Sequence, residues 1–380
     1  MFDKRYVKNF DFVIPIILIL LVVLGAVGIG ISMRQPTDGQ EQSIIQLIAS
    51  FNLRHVNLHF LWLAAGLVVM VVAIAIDYNF FNDFSVYLYW IVIAALIYVD
   101  LAGDIAGGAQ SWINFGAFGF QPSEFAKISV IIVLARLLSL KEDGVKGIGD
   151  LFPVAIQAGI PLILIVLQPD FGTAAVIFAI TFGMLYLGGL SYKLLLGISS
   201  AAGVGLLTMW YTFLTEEQKS RILVFLNPGA DEMGSGYHVM QSIIAIGSGR
   251  IYGKSISDTN MLSQLDFIPA KHTDFIFSVT GEAFGFLIGA LIILLYAILI
   301  VRTIMIASTA RDKFGSMLAS GVAAMIAFHV FVNIGMTMGL VPITGIPLPF
   351  MSYGGSSMIT NFIAFGLVLN VGMRRQKTMF

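Results

Sequence analysis

The sequence predicts an all-α polytopic membrane protein of about ten transmembrane helices with one large extracytoplasmic loop. Three observations carry that prediction. First, of 380 residues 58% are hydrophobic and only 11% are charged, and the mean hydropathy is +0.90. A soluble domain carries roughly 25% charged residues. So few charges cannot cover a water-facing surface, so the remaining surface must face lipid. Second, apolar runs long enough to cross the hydrocarbon core, about 20 residues, recur along the whole chain. Third, basic residues are sorted between alternate loops, as the membrane-insertion rule requires.

The spans are expected over 12–33, 57–76, 85–101, 123–140, 151–167, 171–189, 194–214, 275–301, 317–338 and 356–373. Lys4, Arg5 and Lys8 precede the first, as in a signal peptide. Its apolar run is too long for an h-region and no small-residue cleavage site follows, so it reads as a helix. Length alone would suggest roughly two or three soluble domains. A polytopic bundle instead takes residues 1–380 as a single transmembrane domain, with the large loop over 215–274. Lys141, Lys146, Lys193, Arg302, Arg311, Lys313, Arg374, Arg375 and Lys377 fall on the side of the amino terminus, and the short opposite loops hold chiefly Arg34 and Arg54. Both termini are therefore expected in the cytoplasm. A net charge of −1 gives no sign of nucleic-acid binding. The absence of cysteine excludes disulfides and thiolate metal sites, and the five histidines show no metal-ligand spacing.

The outer face then collects the unusual sequence: "AGDIAGGAQSWINFGAFGFQP", "QPDFGT", the long loop and "VPITGIPLPFMSYGGSS". These are rich in Gly, Pro, Asn and Ser, the composition of loops that present polar groups. Glu124 and Lys127 open the fourth span three residues apart, on one helical face. They read either as an ion pair that fixes helix packing or as a place for an anionic substrate beside Lys127. Gln168 and Asp170 flank a break made by Pro169 and suit a polar ligand, but Asp170 serves equally as the cap of the next helix. Asp274, beside His272 and Lys271 where the long loop meets the eighth span, suits a general base. Thr273 and Asp274 also make an ordinary helix start. Ser352, Tyr353, Gly354 and Gly355 precede the last span, where free N–H groups favour a phosphate; a tight re-entrant turn is the alternative. Trp112 is a substrate contact or an interfacial anchor. Glu282, about two turns into its helix, is expected to face the bundle interior. "GSGRIYGKS" has a phosphate-loop composition but fails the spacing and lies away from ATP.

Together these residues resemble the SEDS family (shape, elongation, division, sporulation). The stretches "GAQSWINFGAFGFQPSEFAK", "LQPDFGTA", "FLNPGADEMGSGYHVMQSIIAIGSGRIYGKS", "HTDFIFSVTGEAFGF" and "GIPLPFMSYGGSS" follow family order over nearly the whole chain. The short termini are more like RodA than FtsW. The resemblance implies a bacterial cytoplasmic-membrane enzyme that polymerises lipid II into peptidoglycan for cell elongation. It further implies a class B penicillin-binding protein and other elongation-complex membrane proteins as partners. The family's essential Asp matches Asp274, its loop Trp matches Trp112, and the Glu and Lys of its "QPSE..K" match Glu124 and Lys127. Lys127, Arg221 and a divalent cation, Mg or Mn, are the expected counterions of the leaving pyrophosphate, whose oxygens can supply metal ligands. A flippase, a scaffold for the penicillin-binding partner and a division-type member are the competing readings. Three positions depart from the family pattern: Ser111 replaces a basic residue before the Trp, Ala270 replaces a Glu, and Ser255 replaces the last Gly of a "GKG".

Overall fold

The computed structural model describes residues 9–34, 53–106, 109–115, 118–141, 144–212, 214–226, 234–254, 261–263, 268 and 270–375. Pro269 and Ser255, and the basic residues of the first eight positions, lie outside them. Each of the ten expected spans coincides with a helix: α1 Val13–Ser32, α2 Leu53–Ala75, α4 Ser85–Ala102, α5 Pro122–Ser139, α6 Ile148–Leu167, α7 Phe171–Leu187, α8 Tyr192–Thr212, α11 Ile276–Ser308, α12 Lys313–Thr337 and α13 Gly355–Met373. Among the described residues eight of these are long and apolar enough to cross a membrane unaided. The other two are α7, with 17 residues, and α5, which carries Glu124, Lys127 and Arg136. Both are enclosed by neighbours; α5 packs on α4, α7 and α12 and is buried along most of its length. Charges are tolerated there because they face protein rather than lipid. The chain is a polytopic all-helical membrane protein.

The start of α1 and the end of α13 lie at one end of the bundle, with Lys141, Lys146, Lys193, Arg311 and Lys313; this is the terminal end. The short helix α3, Tyr78–Asp83, sits there too, opened by Asp77, whose carboxylate accepts the Asn79 N–H. The opposite, loop-rich end holds three features that the span pattern did not show. A three-stranded antiparallel sheet, β1 Asp104–Ala106, β2 Ala109–Phe115 and β3 Phe118–Phe120, occupies the stretch read as irregular loop. Among its described residues the large loop contains two helices, α9 Glu216–Leu226 and α10 Ser235–Ser248. Contacts along α10 and α11 advance together: Ser242 Oγ lies 2.5 Å from Ser278 Oγ, and Gly253 lies against Ala283 and Gly285. α10 and the 249–254 turn therefore descend from the loop-rich end beside α11, rather than staying outside.

That descent is built around a break in α11. Gly285 has φ 72° and ψ −166°, a conformation reserved for glycine. The N–H of Phe286 donates to the Arg250 carbonyl at 2.8 Å and that of Leu287 to Ile251 at 3.3 Å. Irregular backbone at membrane depth survives only where protein satisfies it, and here the inserted turn does so. Glu282, fully buried as expected, pins the returning chain: its carboxylate accepts Lys254 Nζ at 2.9 Å, Leu262 N–H at 2.8 Å and Ser263 N–H at 3.0 Å. Residues 249–254 of "GSGRIYGKS" are thus the material of the inserted turn.

The segment 341–354 is the second irregular stretch inside the bundle. Pro342, Pro347 and Pro349 deny it a helix, so its carbonyls need outside donors. Asn333 Nδ2 donates to Ile346 O at 2.7 Å, His329 Nδ1 to Pro347 O at 3.3 Å, and the Tyr296 hydroxyl to Pro349 O. The segment forms a hub between α11, α12 and α13.

Candidate active site

Three groups of polar side chains meet this hub. The first opens α5. Lys127 Nζ bonds Glu124 Oε1 at 2.8 Å and His329 Nε2 at 3.1 Å. Glu124 Oε2 accepts the Thr360 hydroxyl at 3.1 Å. Glu124 and Lys127 are 3% and 2% exposed, so the structural ion pair foreseen for them is present. The hydrogen bonds also fix the His329 tautomer. The ammonium can only donate to Nε2, so the proton sits on Nδ1 and is given to the Pro347 carbonyl. Lys127 keeps a third N–H beyond these two bonds.

The second group caps α7. Asp170 Oδ1 accepts the Thr173 N–H at 3.0 Å, the helix cap foreseen as one of its readings. Gly172 rests against the Thr344 carbonyl, so the α7 start is held on the hub. Burial pushes the Asp170 carboxyl up, and it lies within electrostatic reach of both Glu124 and Lys127. Gln168 is buried; its Nε2 donates to the Leu96 carbonyl at 3.2 Å, while its Oε1 has no hydrogen-bond partner among the described residues.

The third group is the turn before α11. The N–H groups of Thr273 and Asp274 both donate to Ala270 O at 3.0 Å. Ala270 takes a left-handed φ of 46° there, so the residue at this departure from the family pattern shapes the turn through its backbone. Three bonds bolt the turn to the hub: Ser352 Oγ to Thr273 O at 2.5 Å, Tyr353 N–H to His272 O at 2.9 Å and Asn333 Nδ2 to Asp274 O at 2.9 Å. Asp274 Oδ2 faces Gly345. Burial pushes the Asp274 carboxyl up to about 6, against the opposing pulls of the Thr273 hydroxyl and the Arg221 charge. Arg221 lies on α9 over a small crevice shared with Gly339 and Ile343. His272, Tyr353 and His55 form a three-ring cluster with centroids 5.3–6.0 Å apart. Burial, then His55 and Lys271, hold the His272 imidazole below its ordinary range.

The structure therefore gathers Asp274, His272, Ser352 and Tyr353 on one side of the hub and Glu124, Lys127 and Asp170 on another. No hydrogen bond joins the two sides directly. They are linked through α12, where His329 holds Lys127 and Asn333, one turn later, holds Asp274. Gly354 and Gly355 open α13, with the Trp62 indole packed against Gly355. Ser356 then ties that helix to the sheet, donating to Gly119 O at 3.1 Å and accepting the Gln121 N–H at 3.1 Å. Trp112 lies on β2 across Gly119, and Ser111 beside it is buried. Among the described residues no three His, Asp or Glu side chains converge to hold a metal ion. Lys127 and Arg221 are the cations within electrostatic reach of the Asp170 and Asp274 carboxyls.

His329, Asn333, Thr360 and His55 were not singled out from the sequence. For the first two a signal exists: "FHVFVNIG" puts a His and an Asn four apart in an otherwise apolar span, the pattern of polar residues facing a bundle interior.

This arrangement has relatives. The peptidoglycan glycosyltransferase MrdB of Escherichia coli K12 is 39% identical over 323 residues, 83% of this chain and 84% of that one. A solved chain described under the structural coordination of polymerization and crosslinking by a peptidoglycan synthase complex superposes with a TM-score of 0.79 at 27% identity, covering 97% of this chain and 99% of that one. The crystal structure of the rod shape determining protein RodA of Thermus thermophilus gives a TM-score of 0.68 at 26% identity, covering 97% and 98%. The family model for the cell cycle protein group of FtsW, RodA and SpoVE matches residues 11–377, and the chain belongs to that family.

Proposed function

We propose that this protein is a peptidoglycan glycosyltransferase that polymerises lipid II, with Asp274 as general base. The observation that carries the reading is the Asp274 carboxyl, borne on a turn whose backbone is anchored by three hydrogen bonds at residues 272–274 and pushed up to about 6 by burial. A base with that affinity is ionised at neutral pH yet still accepts a proton readily. The 4-hydroxyl of an incoming lipid II sugar attacks the anomeric carbon of a lipid-pyrophosphate-linked glycan. Its proton passes to Asp274, the C1–O4 bond forms, and the C1–O bond breaks with its electron pair leaving on the pyrophosphate. The α-linked donor gives a β-linkage, an inversion. In this reading Lys127 and Arg221 take up the developing negative charge. Trp112, Glu124, Gln168, Asp170, His272, Ser352, Tyr353, Gly354 and Gly355 shape the binding groove. Among the described side chains of α8 none is buried, and those that pack on the core, Leu194, Leu195 and Ile198, lie in its first turns. Its other half stands off the bundle and leaves a lateral way in for a lipid tail.

The loop-rich end faces the outside of the bacterial cytoplasmic membrane in this reading, and the basic terminal end faces the cytoplasm. The likeness to a chain of a peptidoglycan synthase complex supports a class B penicillin-binding partner, and the likenesses to MrdB and RodA support the elongation role. A flippase needs groups that alternate between both sides of the bilayer, whereas the polar groups of the candidate site gather at the loop-rich end. Purified protein supplied with lipid II, scored for glycan polymer and for flipping in liposomes, tests the assignment. Asp274→Asn keeps size and turn-forming capacity but is no base, and polymer is expected to fall about 100-fold or more with partner binding retained. Polymer near the parent level removes Asp274 from the mechanism. Single cysteines at Lys8 and Tyr353 test orientation: an impermeant thiol reagent is expected to label only the second in intact cells.

A further inference from the structure

The geometry points to a binding site for one monoanionic phospholipid at the terminal end of the bundle, remote from Asp274. A cavity of about 390 Å³ opens there between the start of α1, the last turns of α11 and the chain after α13. Arg302 and Arg375 line it, together with Asp11, Phe12, Met305 and Ile306. Among the described residues the one carboxylate on its wall, Asp11, is poorly matched to the two guanidinium groups. Asp11 Oδ2 reaches Arg302 Nη1 at 3.5 Å, longer than the ~2.7–2.9 Å of a good charge-assisted bond. Its Oδ1 is already used, accepting the Val13 N–H at 3.0 Å. Among the described residues two cations line the pocket against one carboxylate, an excess of one positive charge. The start of α1 adds the positive end of a helix dipole.

The walls decide between a lipid and a free anion. Phe12 and Met305 are exposed beside the arginines, and each begins an exposed apolar track. On α1 it continues through Ile16, Leu20 and Val23, and on α11 through Ile304 and Val301. A headgroup phosphate held between Arg302 and Arg375 would lay its acyl chains on these tracks, whereas a soluble phosphate would leave Phe12 and Met305 without a role. A single phosphodiester charge matches the pocket's surplus, which selects phosphatidylglycerol over a zwitterionic lipid; basic pockets of this kind between membrane helices are known lipid-headgroup sites. The site does not depend on the glycosyltransferase reading.

Native mass spectrometry of the full chain, released from mixed micelles holding equal phosphatidylglycerol and phosphatidylcholine, tests it. One phosphatidylglycerol is expected to be retained, with a preference of about tenfold or more. Arg302→Gln with Arg375→Gln is expected to reduce that preference to parity, and Met305→Trp to expel the lipid by filling the cavity with the charges intact. Arg311→Gln, at the same end but outside the cavity, is expected to behave as the parent. Equal retention of both lipids by the parent overturns the proposal, as does full retention by both the double variant and Met305→Trp. Displacement of the lipid by an equal concentration of glycerol phosphate would overturn the lipid assignment by showing that the tracks contribute nothing.

Discussion

The two ends of this bundle treat buried polar groups differently. At the terminal end they finish helices. Asn370 Nδ2 donates to the last carbonyls of α2, Ala73 at 2.6 Å and Ile74 at 3.3 Å, and to Ile76 beyond them. Asp312 caps α12 through the Gly315 N–H at 2.8 Å, and Arg374 Nε pairs with Asp77 at 3.2 Å. At the loop-rich end polar side chains instead hold backbone that is not helical, and some atoms are left over. Gln168 Oε1, Asn333 Oδ1, Ser123 Oγ and His55 Nδ1 are buried there without a hydrogen-bond partner among the described residues. An orphaned polar group costs about 1–3 kcal/mol. One end is therefore optimised for closure, while the other accepts a cost that a bound polar substrate can offset.

Breaking the α5 ion pair should give the largest effect on that contrast. Lys127→Ala leaves Glu124 as a buried, uncompensated charge, expected to cost about 3–5 kcal/mol and to abolish polymerisation. Replacing both partners, Glu124→Leu with Lys127→Met, removes the charge and is expected to recover most of the stability but none of the activity. Thermal unfolding in detergent beside the lipid II assay separates the two. If the double variant polymerised like the parent, the pair would be packing and nothing more.

The same surgery at the terminal end should dissociate the other way. Asn370→Ala strips the α2 carbonyls of their donor and is expected to lower stability by about 1–3 kcal/mol. Polymer formed per folded molecule should not change, because among the described residues the Asn370 side chain hydrogen-bonds only at the end of α2 and to Arg374. A fall in specific activity would show that the two ends are mechanically coupled.

The contrast also explains what could be read from the sequence. Lipid-facing helices announce themselves, since about 20 apolar residues in a row have few other uses, and all ten spans were legible with ends shifted by a few residues; the longest shift extends α11 to Ser308. The caps and pairs were legible as alternatives: Glu124 with Lys127 by spacing, Asp170 by its place before Phe171. The inserted turn at Gly285 was not. A helix break filled by a segment some thirty residues away leaves no local period, and Gly285 in "GEAFGF" is one glycine among 39. The β1–β3 sheet escaped because its strands are short and broken by glycine, which weakens any alternation. The assembly of Asp274 with Ser352, Tyr353 and Asn333 is long-range contact; the sequence offered that carboxylate as a general base or a helix start, and the resemblance in "HTDF" favoured the first.

The smallest expected effect tests how the loop-rich end tunes its base. Asp274 has its folded pKa raised from 3.8 to about 6, with burial the main cause. The fold thus favours the protonated form, so this group's contribution to stability is complete below about 3.8 and is lost as pH rises through about 6. Activity asks for the opposite, ionised form, so kcat/KM should rise with pH along a limb centred near 6 rather than near the ordinary carboxylate value. Arg221 is the cation that opposes the rise. Removing it in Arg221→Gln leaves burial unopposed and should move the limb upward, by a few tenths of a unit to about one. Arg221→Lys, keeping the charge on a shorter reach, should fall between. The profile in Asp274→Asn should lose the limb altogether, and its unfolding free energy should stop declining between pH 4 and 6. A limb that stays put in Arg221→Gln, or one that survives in Asp274→Asn, would assign the titration to another group, with Asp170 the next to examine because burial raises it as well.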